Sequence, residues 1–194
     1  MKRAAVVTAV AVLGLTLTAC TDDDKTTGVV DKPDRSAASQ PADSPSATAT
    51  TPAPAKAAKV GDAITITGQS DGEQVQVTLK KVADPAKSAD EFFKPDAGKR
   101  WVGAQFEIVN TGTADYDDSP GNGSQIADAQ GQRFETTFAE ITAGPSMTSS
   151  AKVKPGAKVL GWLVYEVPKG AKLASIQFSM NSGFADETAE WKLG

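Results

Sequence analysis

Trp101-Val102-Gly103-Ala104-Gln105-Phe106-Glu107-Ile108-Val109-Asn110-Thr111-Gly112 contains a clean two-residue alternation. Val102, Ala104, Phe106 and Ile108 share one face, and Gly103, Gln105 and Glu107 share the other. That period belongs to a strand with one buried face. Asn110-Thr111-Gly112 ends it with residues that tolerate the backbone of a turn. The same grammar recurs on both sides. Ala63 to Thr67 alternates, and Ser70-Asp71-Gly72-Glu73 reads as a turn. Val75, Val77 and Leu79 alternate with polar neighbours. Ile126–Ala129 and Gln132–Thr136 flank Gln130-Gly131 as a hairpin. Val159 to Val167 is a long strand closed by Pro168, which has no N–H for a ladder. Ile176, Phe178 and Met180 alternate, and a short last strand surrounds Trp191. Seven to nine short strands without a helical stripe predict an all-β, antiparallel sandwich. Asp84 to Gly98 is the longest gap. There Ser88 to Phe93 is expected to form one helical turn, with Phe92 and Phe93 packed on the sandwich.

Ahead of this domain, residues 60–194, lie two segments of different chemistry. Lys2 and Arg3 precede an apolar run from Ala4 to Leu17, too short to span a bilayer as a helix. The run ends in Leu17-Thr18-Ala19-Cys20, which resembles a bacterial lipobox. Residues 1–19 therefore read as a lipoprotein signal peptide. The resemblance implies that Cys20 becomes the mature N-terminus and carries the lipid. Two acyl chains give a stable anchor where one gives marginal binding. Residues 20–59 are rich in Ser, Thr, Ala, Asp and Pro, with Pro33, Pro41, Pro45, Pro52 and Pro54 breaking any helix. Such a composition reads as a disordered tether. The expected location is the outer face of the cytoplasmic membrane, with the domain reaching into the cell wall.

Composition excludes several chemistries. The chain of 194 residues has no histidine, one cysteine and a formal net charge of −4. There is no imidazole base, no Ser-His-Asp triad and no intramolecular disulfide. The acidic balance lacks a basic footprint for nucleic acid. Gly68-Gln69-Ser70-Asp71-Gly72 spells a nucleophile-elbow pattern but joins two strands, and that elbow needs a strand-to-helix turn and a histidine. Ser149-Ser150-Ala151-Lys152 spells a second nucleophile pattern without its companion motifs. The expectation is a protein that is not an enzyme and takes no cofactor.

Two constellations qualify as candidate sites. Asp115, Asp117 and Asp118 lie close in sequence, and clustered carboxylates are what calcium requires. Their spacing is not that of an EF-hand, and a solvated turn is the simpler reading. Trp101 and Trp162 have the parity opposite to Phe106 and Leu163. Strict alternation puts both on an outer face, with Tyr116 near, as a binding surface for a partner or glycan. A bulge at Gly103 or Gly161 would reverse the parity and bury them, and burial is the favoured reading, because Trp in a sandwich is usually core.

The order Gly98-Lys99-Arg100-Trp101-Val102, Val109-Asn110-Thr111-Gly112, Tyr116-Asp117-Asp118-Ser119-Pro120, Asp128-Ala129-Gln130-Gly131-Gln132, Lys154-Pro155-Gly156-Ala157-Lys158 and Gly161-Trp162-Leu163-Val164-Tyr165-Glu166-Val167-Pro168 resembles a bacterial lipoprotein family known only as a domain of unknown function. That family is similar in fold to the secreted immunoglobulin-like immunoprotective antigens of mycobacteria. The resemblance implies an immunoglobulin-like β-sandwich in an exported, actinobacterial-type setting, and it carries over no catalytic residue. The functional expectation is a monomeric, lipid-anchored binding or scaffolding module contacting an envelope protein, peptide or glycan. The alternatives are a small-ligand or calcium-binding accessory lipoprotein and, behind it, a hydrolase with an unrecognised site.

Overall fold

The structure, a computed structural model, describes residues 57–194. The signal peptide, the lipobox residues Leu17, Thr18 and Ala19, Cys20 and nearly all of the tether lie outside the described residues.

Eleven strands and one 3-10 turn at Asn181–Gly183 account for the regular structure of the described residues: β1 Ala58–Lys59, β2 Ala63–Thr67, β3 Gln74–Ala86, β4 Lys99–Asn110, β5 Tyr116–Asp118, β6 Ser124–Asp128, β7 Arg133–Thr137, β8 Ala151–Val153, β9 Lys158–Pro168, β10 Leu173–Ser179 and β11 Thr188–Lys192. Nine of them join in the order β1-β11-β10-β6-β7-β9-β4-β3-β2, and β5 pairs with β8 separately. Every pairing is antiparallel except β1 with β11. The sheet folds over at β7. Its first half pairs with β6, and Thr136 and Thr137 pair with Tyr165 and Val164 of β9. One layer is thus β2, β3, β4 and β9, and the other is β6, β10, β11 and β1.

The core between the layers is built from the inward parity of each strand. Val75, Val77 and Leu79 of β3 and Val102, Ala104, Phe106 and Ile108 of β4 meet Ile126, Ile176, Phe178 and Trp191 from the opposite layer. The Phe106 ring lies 5.7 Å from that of Phe178 and 5.8 Å from Trp191, centroid to centroid. Tilted aromatic pairs at such distances add to area burial. Tyr165 closes the same core and shares its hydroxyl hydrogen bond with Ser124 of the facing layer. The expected sandwich is therefore present.

The short strands β1, β5 and β8 were not anticipated, since two or three residues cannot display a period. Ala58 and Lys59 of β1 fall on the tether side of the expected boundary at residue 60. Ser88 to Phe93 is not helical. Ser88 instead bridges Ile141, and Asp90 Oδ1 accepts the amides of Phe92 and Phe93 at 2.6 and 3.3 Å. That turn lifts both rings off the sandwich, so Phe92 is 85% and Phe93 66% exposed. Among the described residues no helix is long and apolar enough to cross a membrane.

Candidate functional site

The three aspartates do not assemble. Successive strand residues point to opposite faces, so Asp117 and Asp118 of β5 separate at once. Asp117 meets Lys152 of β8 at 2.8 Å, and Asp115 meets Lys154 at 2.5 Å. The Asp117 hydrogen bond raises the Lys152 ammonium above its usual range. Asp118 Oδ1 accepts the Ser119 amide at 2.7 Å and the Ser182 amide and hydroxyl at 2.8 and 2.9 Å. Among the described residues no group of three or more acidic, histidine or cysteine side chains is placed to hold a metal ion. The two nucleophile patterns resolve in the same way. Ser70 sits in the β2–β3 turn, where its carbonyl accepts the Glu73 amide at 3.1 Å, and Lys152 is committed to Asp117.

The aromatic residues form no exposed patch, and the tryptophans are buried as favoured, though not by a bulge. Trp101 and Trp162 do lie on the outer parity of β4 and β9, and the β4–β9 register runs without a shift past Gly103 and Gly161. Both are nevertheless 4% exposed. The segment after β7 lies over them and closes a second small core of Ala86, Trp101, Ile141, Trp162 and Val164. Backbone bonds hold it down. The Ala89 amide donates to the Glu140 carbonyl at 3.0 Å, Thr142 to Lys87 at 2.9 Å and Met147 to Trp162 at 2.8 Å. Trp101 Nε1 donates to Glu166 at 3.2 Å, whereas the buried Trp162 Nε1 has no partner among the described residues. Tyr116 is not near this surface. It is buried in the main core, and burial raises its phenol, with the Asp118 charge adding to the shift.

What the covering segment leaves open is a cleft of about 790 Å³. Its apolar wall combines Met147, Trp162, Leu163 and Val164 with Phe93 and Phe138. Phe138 is 97% exposed and follows the last residue of β7 directly. Ser119, Asn122, Thr148 and Ser149 supply polar groups, and Asp90 and Glu140 are the charged residues of the lining. The Ala89–Glu140 backbone bond ties the loop bearing Asp90 and Phe93 to the one bearing Phe138 and Glu140. Volume, apolar lining and a few convergent polar groups are the attributes of a ligand site. Sequence reading missed Phe138. The available signal was weak: Phe138 keeps the parity of Phe134, which packs on the core, but it stands past the polar Thr136-Thr137 with no apolar neighbour of its own parity.

A family model described as a domain of unknown function (DUF4352) matches residues 66–189. No curated protein matches the chain. Among solved structures, MPT63, a secreted protein from Mycobacterium tuberculosis, is similar at 15% identity and a TM-score of 0.49, over 71% of this chain and 97% of that one. The yjhA protein of Bacillus subtilis is similar at 17% identity and a TM-score of 0.49, over 71% and 99%. A candidate lipoprotein of Bacillus subtilis (ycdA) is similar at 17% identity and a TM-score of 0.48, over 66% of this chain and 38% of its own length.

Proposed function

Since this chain belongs to the DUF4352 family, a domain of unknown function, we propose from its own residues that it is a lipid-anchored binding module of the cell envelope. In this reading Cys20 carries the lipid, the tether sets the reach, and the cleft at Phe93 and Phe138 engages an envelope protein or peptide. The module performs no chemistry and works as a monomer. The observation that carries the reading is Phe138, a 97% exposed phenyl at the mouth of a cleft of about 790 Å³. A lone exposed apolar side chain means little, but one joined to an apolar cavity and a second exposed ring marks an interaction surface. The lipobox supports the location, because a diacylated cysteine holds a protein at a membrane without a spanning helix.

The test is site-specific photocrosslinking in the cells that make the protein. A benzophenone side chain replaces Phe138 in one version and the exposed Lys169 in another. One defined adduct from position 138, absent from position 169 and lost with Cys20→Ala, is the expected outcome. Equal adducts from both positions, or none from 138, would overturn the assignment of the cleft.

A further inference from the structure

We infer that the occupant of this cleft is an extended polypeptide segment presenting a Lys or Arg beside an apolar residue. The inference rests on the proposed role of the cleft as a binding site and adds the chemistry of the partner.

Charge comes first. The lining holds two carboxylates, Asp90 and Glu140, and no Lys or Arg. Neither carboxylate makes an ion pair among the described residues, whereas Asp84, Asp115, Asp117, Glu107, Glu166 and Glu190 all do. Asp90 Oδ1 is occupied by the Phe92 and Phe93 amides, which fixes the carboxylate in place in the lining that Phe93 shares. An anionic mouth without a cation of its own favours a cationic occupant and disfavours an acidic one.

The aromatic groups agree. Phenyl faces attract Lys and Arg head groups, most of all where carboxylates stand close by. The long aliphatic stems of those residues lie well on apolar surface while the charge stays wet. Met147, Leu163 and Val164 offer that surface. Ser119, Asn122, Thr148 and Ser149 offer neutral hydrogen-bonding groups of the kind a peptide backbone needs. A cleft of about 790 Å³ has room for a side chain together with its flanking backbone, more than a single ammonium group fills.

The test uses the full mature chain in detergent and three fluorescent decapeptides: alternating Arg-Leu, Glu-Leu and Ser-Leu. A neutral N-acetylglucosamine oligosaccharide is the fourth probe. Arg-Leu is expected to bind at least about tenfold more tightly than Glu-Leu and to weaken as salt rises. The double variant Asp90→Asn/Glu140→Gln should reduce that preference several-fold. Asp71→Asn/Asp186→Asn, which removes the same charge from exposed positions elsewhere, should leave it unchanged. Phe138→Ala should weaken every bound probe. All three variants alter exposed side chains, and equal melting temperatures verify their folds.

Equal binding of the three peptides, no binding of Arg-Leu, or a preference that survives Asp90→Asn/Glu140→Gln would overturn the inference. Neutral peptide or oligosaccharide bound as tightly as Arg-Leu, in a Phe138-dependent way, would overturn it while leaving the cleft as the site. Binding indifferent to Phe138→Ala would remove both.

Discussion

Met147 crosses Gly161 so closely that a β-carbon on Gly161 would stand 2.4 Å from the Met147 Cα and 2.6 Å from its nitrogen. The Met147 amide donates to the Trp162 carbonyl at 2.8 Å, and the Trp162 amide donates to the Pro145 carbonyl at 3.0 Å. The covering segment is thus laid against β9 by backbone groups, at a point where only a residue without a side chain admits it. This crossing sets one wall of the cleft, because Met147 and Trp162 both line it.

Gly161→Ala is therefore expected to cost about 1–3 kcal/mol, the range for forcing extra volume into a packed site. Backbone atoms receive the collision, so no rotamer change relieves it. Urea denaturation followed by circular dichroism measures the loss. A stability equal to that of the parent would mean that the segment shifts away freely and that the cleft wall is not fixed.

The two outer tryptophans should respond differently to the same substitution. Trp101→Phe deprives Glu166 of an N–H donor held at 3.2 Å. Trp162→Phe removes a buried N–H that has no partner among the described residues. Both lose the same volume, so the difference reports the Trp101 hydrogen bond together with the relief of the unpaired Trp162 N–H. Trp101→Phe should be the more destabilising by about 1 kcal/mol, the usual net worth of such a bond. Equal losses from the two variants would show that packing alone governs both positions.

These tryptophans also show where sequence reading stops. Their parity was legible from Phe106 and Leu163, because alternation along β4 and β9 is unbroken. Their burial agrees with the habit of Trp in sandwiches, but its cause was not legible, since no bulge at Gly103 or Gly161 produces it. The cover comes from the irregular stretch between Ala139 and Met147, whose anchors are backbone groups of Lys87, Ala89 and Trp162. Backbone hydrogen bonds leave no residue signature. The aspartates fail for a related reason. Asp115 and Asp117 find Lys154 and Lys152 only after β8 folds back onto β5, a pairing of three residues that no periodicity announces. Long strands carry their partners' identity in their pattern, whereas the pieces that build the cleft are too short to carry any.

Calcium provides a direct check on that parcelling out. Asp115 and Asp117 each face a lysine, and Asp118 Oδ1 is taken by three donors. A cation needs six or more oxygens converging at once. Melting temperatures in millimolar calcium and in chelator are expected to coincide. A calcium-dependent rise of several degrees would mean that the loop rearranges to bind, against the arrangement described here.

Acid should weaken the fold through three glutamates. Hydrogen bonding to Lys158 lowers Glu107, Lys99 lowers Glu166, and Lys192 lowers Glu190, each below the ordinary carboxylate range. A carboxylate whose folded proton affinity is reduced favours the folded chain while it is ionised. Its contribution is complete above the unfolded value near pH 4.5 and disappears as the pH falls through the lowered folded values. Lys99 is the other half of one pair and is raised by the same Glu166 bond, so its contribution holds below 10.5 and fades only above it. Stability should therefore be flat from about pH 6 to 9 and fall below the unfolded carboxylate range. Glu166 is the most informative position. It accepts Lys99 Nζ at 2.8 Å, the Asp96 amide at 3.1 Å and Trp101 Nε1 at 3.2 Å, which joins the β4–β9 ladder to the second core. Glu166→Gln keeps the shape, removes the charge and turns one of the two acceptor oxygens into a donor. It should lower stability at neutral pH and make the acid limb shallower, so that variant and parent converge as the pH drops. A constant gap between them from pH 7 to 3 would show that the Glu166 charge contributes nothing beyond its shape.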